Sequence, residues 1–452
     1  MTAPSAERDA ASRTRDATFS LVTSRRFAPL LVTQMLTSFI DNLIKSASGV
    51  LMLFTLPDSG PSLLALGGGI FMLPYALGSS IAGEVADRFE KAWLLRVTQL
   101  IALAIASCGC VALVTGNVTA QLLVLLALGL QATFFGPLKY GIIPELLREH
   151  ELVAGNGLIE AGTFIGIVSG TSVGALLVMG PQGTLVVGLL ATTCGIAGVI
   201  SAWFVIRGSP AAPTLRLRAN VVAGTVNLMR QALRVRPIRL SIAWLSWFWS
   251  LGLIVLAEIP VVAKDVLRGG EPMVTLLLAT FSVGVGVGSI LCSRMLRGEV
   301  STRHVPLAGI GLTLFIAGFA ETAHAFGVSG MAHPPSVLLG TLAGWWLIGE
   351  LFLLAICGGI FSVPLNALLQ ACAAQDARSR MVAANNAINA LFMVAVALLI
   401  AELARWGVTA TRILWLSAAA NLFVSLSTIS FAWRNRPGIA GSLAAWFDSG
   451  FK

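Results

Sequence analysis

Apolar residues fall in long continuous runs, separated by short polar breaks, along most of the chain. A helix needs about 20 apolar residues to cross a bilayer, and twelve runs are close to that length or longer. The runs lie near 27–56, 62–86, 92–115, 119–143, 153–179, 183–206, 240–263, 272–296, 304–326, 336–365, 381–404 and 408–433. Apolar and polar residues do not alternate within them, as they would in strands of a membrane barrel. The pattern therefore predicts an all-α membrane protein with twelve transmembrane helices.

The two halves of the chain repeat a short pattern. Residues Val153–Ala161 align with Val382–Ala390, and the two segments share five residues, among them Asn156 and Asn385. Chance similarity between two apolar stretches is the alternative that this alignment leaves open. Corresponding runs also cross the membrane in the same direction, which is typical of a parallel repeat. We therefore expect two pseudo-symmetric six-helix bundles with a path between them.

Basic residues predict how the helices are oriented. Lys and Arg are enriched in cytoplasmic loops of membrane proteins, and the longest polar break holds seven arginines. They are Arg207, Arg216, Arg218, Arg230, Arg234, Arg236 and Arg239. Both ends of the chain and this break are thus expected in the cytoplasm. The predicted segments are a disordered cytoplasmic tail (1–26), an N-terminal bundle (27–206), a cytoplasmic linker (207–239), a C-terminal bundle (240–433) and a second cytoplasmic tail (434–452).

Composition excludes several classes of protein. Hydrophobic residues make up 56% of the chain and charged residues only 11%, whereas a soluble protein has about 25% charged residues. The net charge of +9 fits the basic cytoplasmic loops and attraction to membrane lipids, not nucleic acid, because no large basic domain lies outside the membrane. The six cysteines and four histidines form no metal-binding spacing. We expect neither a metal nor a cofactor.

A charged turn follows the second run. Gly83-Glu84-Val85-Ala86-Asp87-Arg88-Phe89-Glu90-Lys91 resembles the G-x-x-x-D-R-x-x-[RK] loop of the major facilitator superfamily. Gly83 allows two helices to approach closely, and Asp87 is suited to interact with a helix N-terminus in the same half or the other half. Arg88 and Lys91 would hold the turn at the cytoplasmic surface. These four residues are the candidate gating residues, and an ordinary solvated turn is the alternative.

A second stretch resembles a narrower family. Thr133-Phe134-Phe135-Gly136-Pro137-Leu138-Lys139-Tyr140-Gly141-Ile142-Ile143-Pro144, followed by Glu151–Phe164, is similar to the bacterial lysophospholipid transporters, as is the Asp41-Asn42 pair. The close resemblance covers about 35 residues of the first half. It implies a multi-pass protein of the bacterial inner membrane that flips lysophospholipids inward by alternating access. It also implies a functional link to a cytoplasmic-side acyltransferase; we expect a monomer without an enzymatic domain.

Charged residues inside predicted spans are costly and usually line a cavity. Asp41 and Lys45 lie four residues apart, on one helix face near the bilayer midplane, and Glu350 is expected at a similar depth. Lys139 and Glu160 lie near the cytoplasmic ends of consecutive helices, where they could pair. A lysine could bind the phosphate of a headgroup and a carboxylate its ammonium, while structural salt bridges are the alternative. The candidate substrate-binding set is Asp41, Asn42, Lys45, Lys139, Asn156, Glu160, Glu350, Asn385 and Asn389.

Small residues recur at every fourth position in two of the predicted helices. Gly162, Gly166, Gly170 and Gly174 do so in the fifth, and Gly284, Gly288 and Cys292 in the eighth. Such stripes allow close helix packing. In the superfamily's usual arrangement these two helices face each other, so we expect a lateral seam that admits a lipid. Tight packing without lipid entry is the alternative.

Two further functions remain open at this point. A proton-coupled exporter of drugs or small metabolites would have the same fold, although it would leave the second stretch unexplained. A receptor or scaffold on a transporter fold would tolerate loss of the midplane charges. An enzyme is disfavoured because no nucleophile lies beside a base in the sequence.

Overall fold

Long helices account for most of the residues that the structure describes. The computed structural model describes residues 20–55, 60–217, 220–296, 299–328 and 334–434, and no strand occurs among them. The long helices of the first half are α1 (Ala28–Thr55), α2 (Gly60–Arg88), α3 (Lys91–Thr115), α4 (Val118–Leu146), α5 (Leu152–Val178) and α6 (Gly183–Trp203). Those of the second half are α7 (Arg236–Val261), α8 (Gly270–Leu296), α9 (Val305–Val328), α10 (Leu342–Cys372), α11 (Arg378–Arg405) and α12 (Ala410–Arg434).

Within the described residues, eleven helices are long and apolar enough to cross a membrane. The remaining long helix is α1, whose 28 residues would extend about 42 Å. Polar side chains such as Gln34, Asp41 and Lys45 interrupt its apolar sequence. The prediction of an all-α membrane protein is confirmed. The one long helix that falls short of the eleven carries three of the candidate binding residues, Asp41, Asn42 and Lys45.

The packing of the helices repeats between the halves. In the first half α1 packs on α5, α2 on α4, and α3 on α6. In the second half the equivalent pairs recur, because α7 packs on α11, α8 on α10, and α9 on α12. The halves meet mainly along α2 against α11 and α5 against α8. The expected pseudo-symmetric arrangement of two bundles is therefore confirmed.

The linker contains a helix that the sequence pattern did not predict. Val221–Arg234 is helical and begins at Asn220, whose side chain accepts a hydrogen bond from the Ala223 N–H at 2.9 Å. This linker helix packs on α2 and α11. Residues 20–26 of the predicted tail pack against the first half, where Leu21 is buried. Residues 1–19, Arg218 and 435–452 lie outside the described residues.

The tenth predicted span is displaced in the structure. A short helix, Pro335–Leu339, is followed by a break, and α10 begins at Leu342 rather than continuing from 336. Thr341 has an extended backbone, which separates the short helix from α10. Its hydroxyl accepts a hydrogen bond from the Gly344 N–H at 3.1 Å and so caps the start of α10. Pro364 lies inside α10, which continues to Cys372.

The small-residue stripes do not face each other as expected. A Cβ added at Gly166 or Gly170 would lie 2.7 Å or less from atoms of α1, and a Cβ at Gly288 would lie 2.2 Å from the Ile356 carbonyl oxygen of α10. The stripes therefore close the α1–α5 and α8–α10 pairs inside each half. The expectation of a smooth seam between α5 and α8 was wrong, because four-residue spacing defines a helix face but not the helix that covers it.

This packing leads to a stability prediction. Gly170→Ala should lower the melting temperature of the purified protein markedly, because the new methyl group would stand 2.4 Å from the Phe39 carbonyl oxygen, which is backbone and cannot yield cheaply. The matched control is Gly349→Ala in α10, where no atom lies within 4 Å of the added Cβ. The control should be neutral or slightly stabilising, since Ala favours helix. Equal melting temperatures for both variants would contradict the assigned packing.

Candidate binding cavity between the two halves

A cavity of about 470 Å³ lies between the two halves. Four helices of the first half (α1, α2, α4 and α5) and three of the second (α7, α10 and α11) contribute to its wall. Aromatic rings make up much of this wall: Phe71, Tyr75, Phe135, Tyr140, Phe164, Phe248 and Trp249. The volume lies within the usual range for small-molecule sites, and mostly apolar walls with a few polar groups are typical of them.

The ionisable residues of the cavity wall all belong to the first half. They are Asp41 and Lys45 of α1, Lys139 of α4, and the phenols of Tyr75 and Tyr140. Lys45 Nζ lies 4.2 Å from the centre of the Phe71 ring, and Lys139 Nζ lies 4.9 Å from that of Tyr140. Ring faces stabilise a cation without occupying its hydrogen-bond donors. Both ammonium groups therefore remain available to an anion.

Asp41 and Lys45 line the cavity together but form no direct ion pair in the described structure. Asn42, also in the lining, donates from Nδ2 to the Ser38 carbonyl oxygen at 2.8 Å. With both lysines charged and Asp41 ionised, the three groups carry a net charge of +1. This arrangement suits a ligand that carries an anion and a cation close together.

The second half faces these charges with amides. Asn366 of α10 and three residues of α11, Asn385, Asn386 and Asn389, line the cavity. Asn389 accepts a hydrogen bond from the Ser246 hydroxyl at 2.7 Å, which fixes the orientation of its amide. The sequence reasoning named Asn385 and Asn389 but missed Asn366 and Asn386. The Asn385-Asn386 pair could have indicated Asn386, since adjacent helical positions can both border a wide cavity.

Three other candidates lie outside the cavity wall. Glu160 is 1% exposed, its carboxylate lies beside the hydroxyls of Tyr140 and Ser362, and it forms no ion pair with Lys139 in the described structure. Glu350 lies against Gly318 of α9, inside the second half. Asn156 is buried and hydrogen-bonded to Gln370 of the other half. The structure thus brings together Asp41, Asn42, Lys45, Lys139, Asn385 and Asn389, and it separates Glu160, Glu350 and Asn156 from them.

The charged turn after α2 joins the two halves. Asp87 is fully buried, and its carboxylate accepts hydrogen bonds from the backbone N–H of Ser379 (3.0 Å) and of Arg380 (3.2 Å) and from Arg380 Nε (3.1 Å). Asp87 therefore binds the N-terminus of α11, where a negative charge is favoured. We call this end of the molecule, which holds the turn 88–91 and the start of α11, the motif end.

The other residues of the turn have distinct surroundings. A Cβ at Gly83 would lie 2.8 Å from the Ala383 side chain, so glycine is needed where α2 meets α11. Lys91 pairs with Glu145 of the first half at 2.6 Å. The Arg88 guanidinium lies over the Phe89 ring. Gly83 and Asp87 thus contact the other half, whereas the contacts of Lys91 and Arg88 stay within the first.

A second contact closes the motif end. Asn156 and Gln370 exchange two hydrogen bonds, at 2.9 Å and 2.8 Å, and both side chains are buried. Replacing Asn156 alone with Leu should destabilise this closure, because it leaves the buried Gln370 amide unpaired at a cost of about 1–3 kcal/mol. The Asn156→Leu/Gln370→Leu double variant should recover part of the lost stability. Melting temperatures of both variants would check this, and additive losses would contradict direct coupling.

These features define a class of protein: a polytopic transporter whose two six-helix halves enclose a polar cavity that is closed at one end. Residues 30–397 match the Major Facilitator Superfamily. The chain therefore belongs to this superfamily and is a multi-pass membrane protein.

Curated relatives cover most of the chain. It is similar to the lysophospholipid transporter LplT of Salmonella arizonae, with 29% identity over 378 residues covering 81% of this chain and 84% of the relative. The LplT of Salmonella typhi is also 29% identical, over 372 residues covering 81% and 83%.

Solved structures show the same fold at low identity. The human organic anion transporter MFSD10 matches with a TM-score of 0.70 and 13% identity, covering 89% of this chain and 98% of that structure. A bacterial homologue of the iron transporter ferroportin in an outward-facing state matches with a TM-score of 0.63 and 16% identity, covering 90% and 99%.

Proposed function

We propose that this transporter moves lysophospholipids from the outer to the inner leaflet of a bacterial inner membrane. The observation that carries the proposal is the cavity itself, where Lys45, Lys139 and Asp41 lie among aromatic and apolar walls. A lysophospholipid headgroup carries a phosphate and, in phosphoethanolamine, an ammonium, and so it matches this set of charges. The names of the similar Salmonella proteins support the same substrate class.

A charged headgroup meets a barrier of several kcal/mol in hydrocarbon, and the polar cavity would lower this barrier. The phosphate would bind Lys45 and then Lys139, which lies closer to the motif end of its helix. Asn366 and Asn385 of the second half would replace part of the water lost by the headgroup. The proposed path does not include Glu350, because its side chain lies against Gly318 and not in the cavity wall.

The contacts at the motif end fit an alternating-access cycle. Asp87 with the start of α11, and Asn156 with Gln370, hold this end closed in the structure. Breaking both sets of contacts would open the cavity at the motif end while the opposite end closes. The basic residues of the loops favour a cytoplasmic position for the motif end, and its opening would then release substrate into the inner leaflet.

The test is leaflet-specific transport by the reconstituted protein. Fluorescent lysophospholipid is added to the outside of proteoliposomes, and the fraction protected from an external quencher is followed over time. Protein reconstituted with its motif end facing inward should protect the lipid faster than empty liposomes. If the protein moves no lysophospholipid but transports a soluble drug down a proton gradient, it is an exporter and the proposal is wrong.

A further inference from the structure

The linker helix lies beside a part of α2 that is apolar enough to cross the membrane. The Thr225 hydroxyl donates to the Leu77 carbonyl oxygen of α2 at 2.9 Å, and it accepts from the Ser80 N–H at 3.3 Å. Both α2 residues belong to the candidate membrane span Leu66–Arg88. They lie about 16 Å and 12 Å before the end of this span. The linker helix is therefore held at the depth of the membrane near the motif end.

The sequence of the linker helix gives it three separate faces, because helical residues three and four positions apart lie on the same side. The first face packs on the protein and holds the buried residues Gly224, Thr225, Leu228 and Ala232. The second face is apolar and holds Val222, Val226, Met229 and Leu233. The third face is exposed and mainly polar, and it holds Ala223, Asn227, Arg230 and Arg234. Separate apolar and basic faces are typical of helices that lie in the plane of a membrane interface.

The apolar face is exposed in the first half of the linker helix. Val222 is 55% exposed and Val226 is 40% exposed, whereas Met229 and Leu233 rest partly on the core of the second half. Two valines one turn apart, beside a candidate membrane span, are stabilised by contact with acyl chains rather than with water. The polar face lies about a third of a turn away from them. With the valines in contact with acyl chains, the polar face is directed towards the lipid headgroups.

The polar face carries two arginines without a counter-charge. Arg230 and Arg234 are exposed and lie four residues apart. Neither forms an ion pair with any residue that the structure describes, and the linker 207–239 contains no Asp or Glu. Like charges at this spacing repel each other. An anion that contacts both guanidinium groups would relieve this repulsion.

The surroundings of the two arginines suit a phosphate group. A surface groove of about 530 Å³ adjoins them and leaves them accessible. Asn227 and Gln231 line the same groove, and their amides offer further N–H donors. Guanidinium groups bind phosphate oxygens through paired hydrogen bonds. The face therefore has the donors and the charge that a phosphate ester requires.

We propose that the linker helix is a docking site for anionic phospholipids of the leaflet at the motif end. Arg230 and Arg234 bind the phosphate, and the acyl chains pack beside Val222 and Val226. A lipid fits better than an acidic protein, because the exposed valines adjoin the basic face and the helix lies beside a candidate membrane span. The bound lipid is a component of the membrane, so this site is independent of the substrate that the cavity takes.

Quenching by spin-labelled lipids in proteoliposomes tests the site. The full-length protein, in a variant without native cysteines, carries a fluorophore at Ala223→Cys, an exposed position on the polar face. The vesicles consist of phosphatidylcholine with a small fraction of nitroxide-labelled phosphatidylglycerol or nitroxide-labelled phosphatidylcholine. The phosphatidylglycerol label should quench the parent several-fold more strongly than the phosphatidylcholine label. Equal quenching by the two labels would overturn the proposal and would leave an acidic protein as the ligand to test for this face.

Charge variants locate the site on the linker helix. Arg230→Gln/Arg234→Gln should abolish the preference for phosphatidylglycerol, whereas Arg230→Lys/Arg234→Lys keeps both charges and should retain most of it. The matched control is Arg207→Gln/Arg216→Gln, which removes two exposed charges from the same linker outside the helix. This control should keep the preference of the parent. An equal loss in the control and in the Arg230→Gln/Arg234→Gln protein would indicate general attraction to a basic loop and would overturn the site.

Discussion

Replacing Asp87 with Asn should open the motif end and shift the protein away from the closed arrangement. Asp87 is fully buried and accepts three hydrogen bonds from the start of α11. Bonds to a charged acceptor are stronger than neutral ones, and each contributes about 1.5–3 kcal/mol. The amide of Asn keeps the shape but loses the charge, and its NH₂ group cannot accept from a backbone N–H. A net loss of about 2 kcal/mol would change the equilibrium roughly 30-fold.

The distance between the halves at the motif end provides the measurement. Spin labels at exposed Trp93 of α3 and exposed Gln375, just before α11, would be placed in a variant without native cysteines. Double electron–electron resonance should give a longer mean distance for Asp87→Asn than for the parent. Arg88→Gln is the matched control, because its guanidinium lies over Phe89 in the same half. Identical distance distributions in parent and Asp87→Asn would exclude Asp87 as a determinant of closure.

The sequence predicted the parts of this molecule that depend on local pattern. Apolar runs indicated the membrane helices because lipid requires every backbone polar group to be bonded within the helix. The motif around Asp87 indicated a helix N-terminus as partner, since a buried carboxylate needs donors. Asp41 and Lys45 were assigned to a cavity because unpaired charges are too costly against lipid. These inferences need no knowledge of which helices are neighbours.

The features that were missed depend on tertiary neighbours. The spacing of Gly166 and Gly170 indicated a close helix contact, but it did not identify α1 as the partner. Glu350 was expected near the cavity from its depth, although depth does not determine which way a helix face points, and the side chain meets Gly318 instead. The linker helix has a polar, Arg-containing sequence that hydropathy counts as a loop. Its buried face becomes visible only against α2 and α11.

Neutralising the two charged residues of α1 one at a time should show which of them binds the phosphate of the substrate and which binds its ammonium. Lys45→Gln should lower uptake of lysophosphatidylethanolamine and lysophosphatidylglycerol alike, by about tenfold or more, because both contain the phosphate and a charge-assisted bond contributes about 1.5–3 kcal/mol. Asp41→Asn should lower uptake of the ethanolamine lipid much more than that of the glycerol lipid, since only ethanolamine offers an ammonium. Initial uptake rates at matched protein amounts would give the ratio between the two lipids for each variant.

The ratio of the two uptake rates is the decisive quantity. Damage to folding or to the transport cycle lowers the uptake of both lipids equally, so the ratio does not change. Glu350→Gln is the matched control: it removes one carboxylate from a membrane helix, but Glu350 lies outside the cavity wall and against α9. It should leave the ratio at the parent value. Asp41→Asn must lower the ratio of ethanolamine to glycerol lipid for Asp41 to be the ammonium partner. If Asp41→Asn reduces both lipids by the same factor, its carboxylate orients Lys45 or supports the cycle instead, because the two side chains share one face of α1.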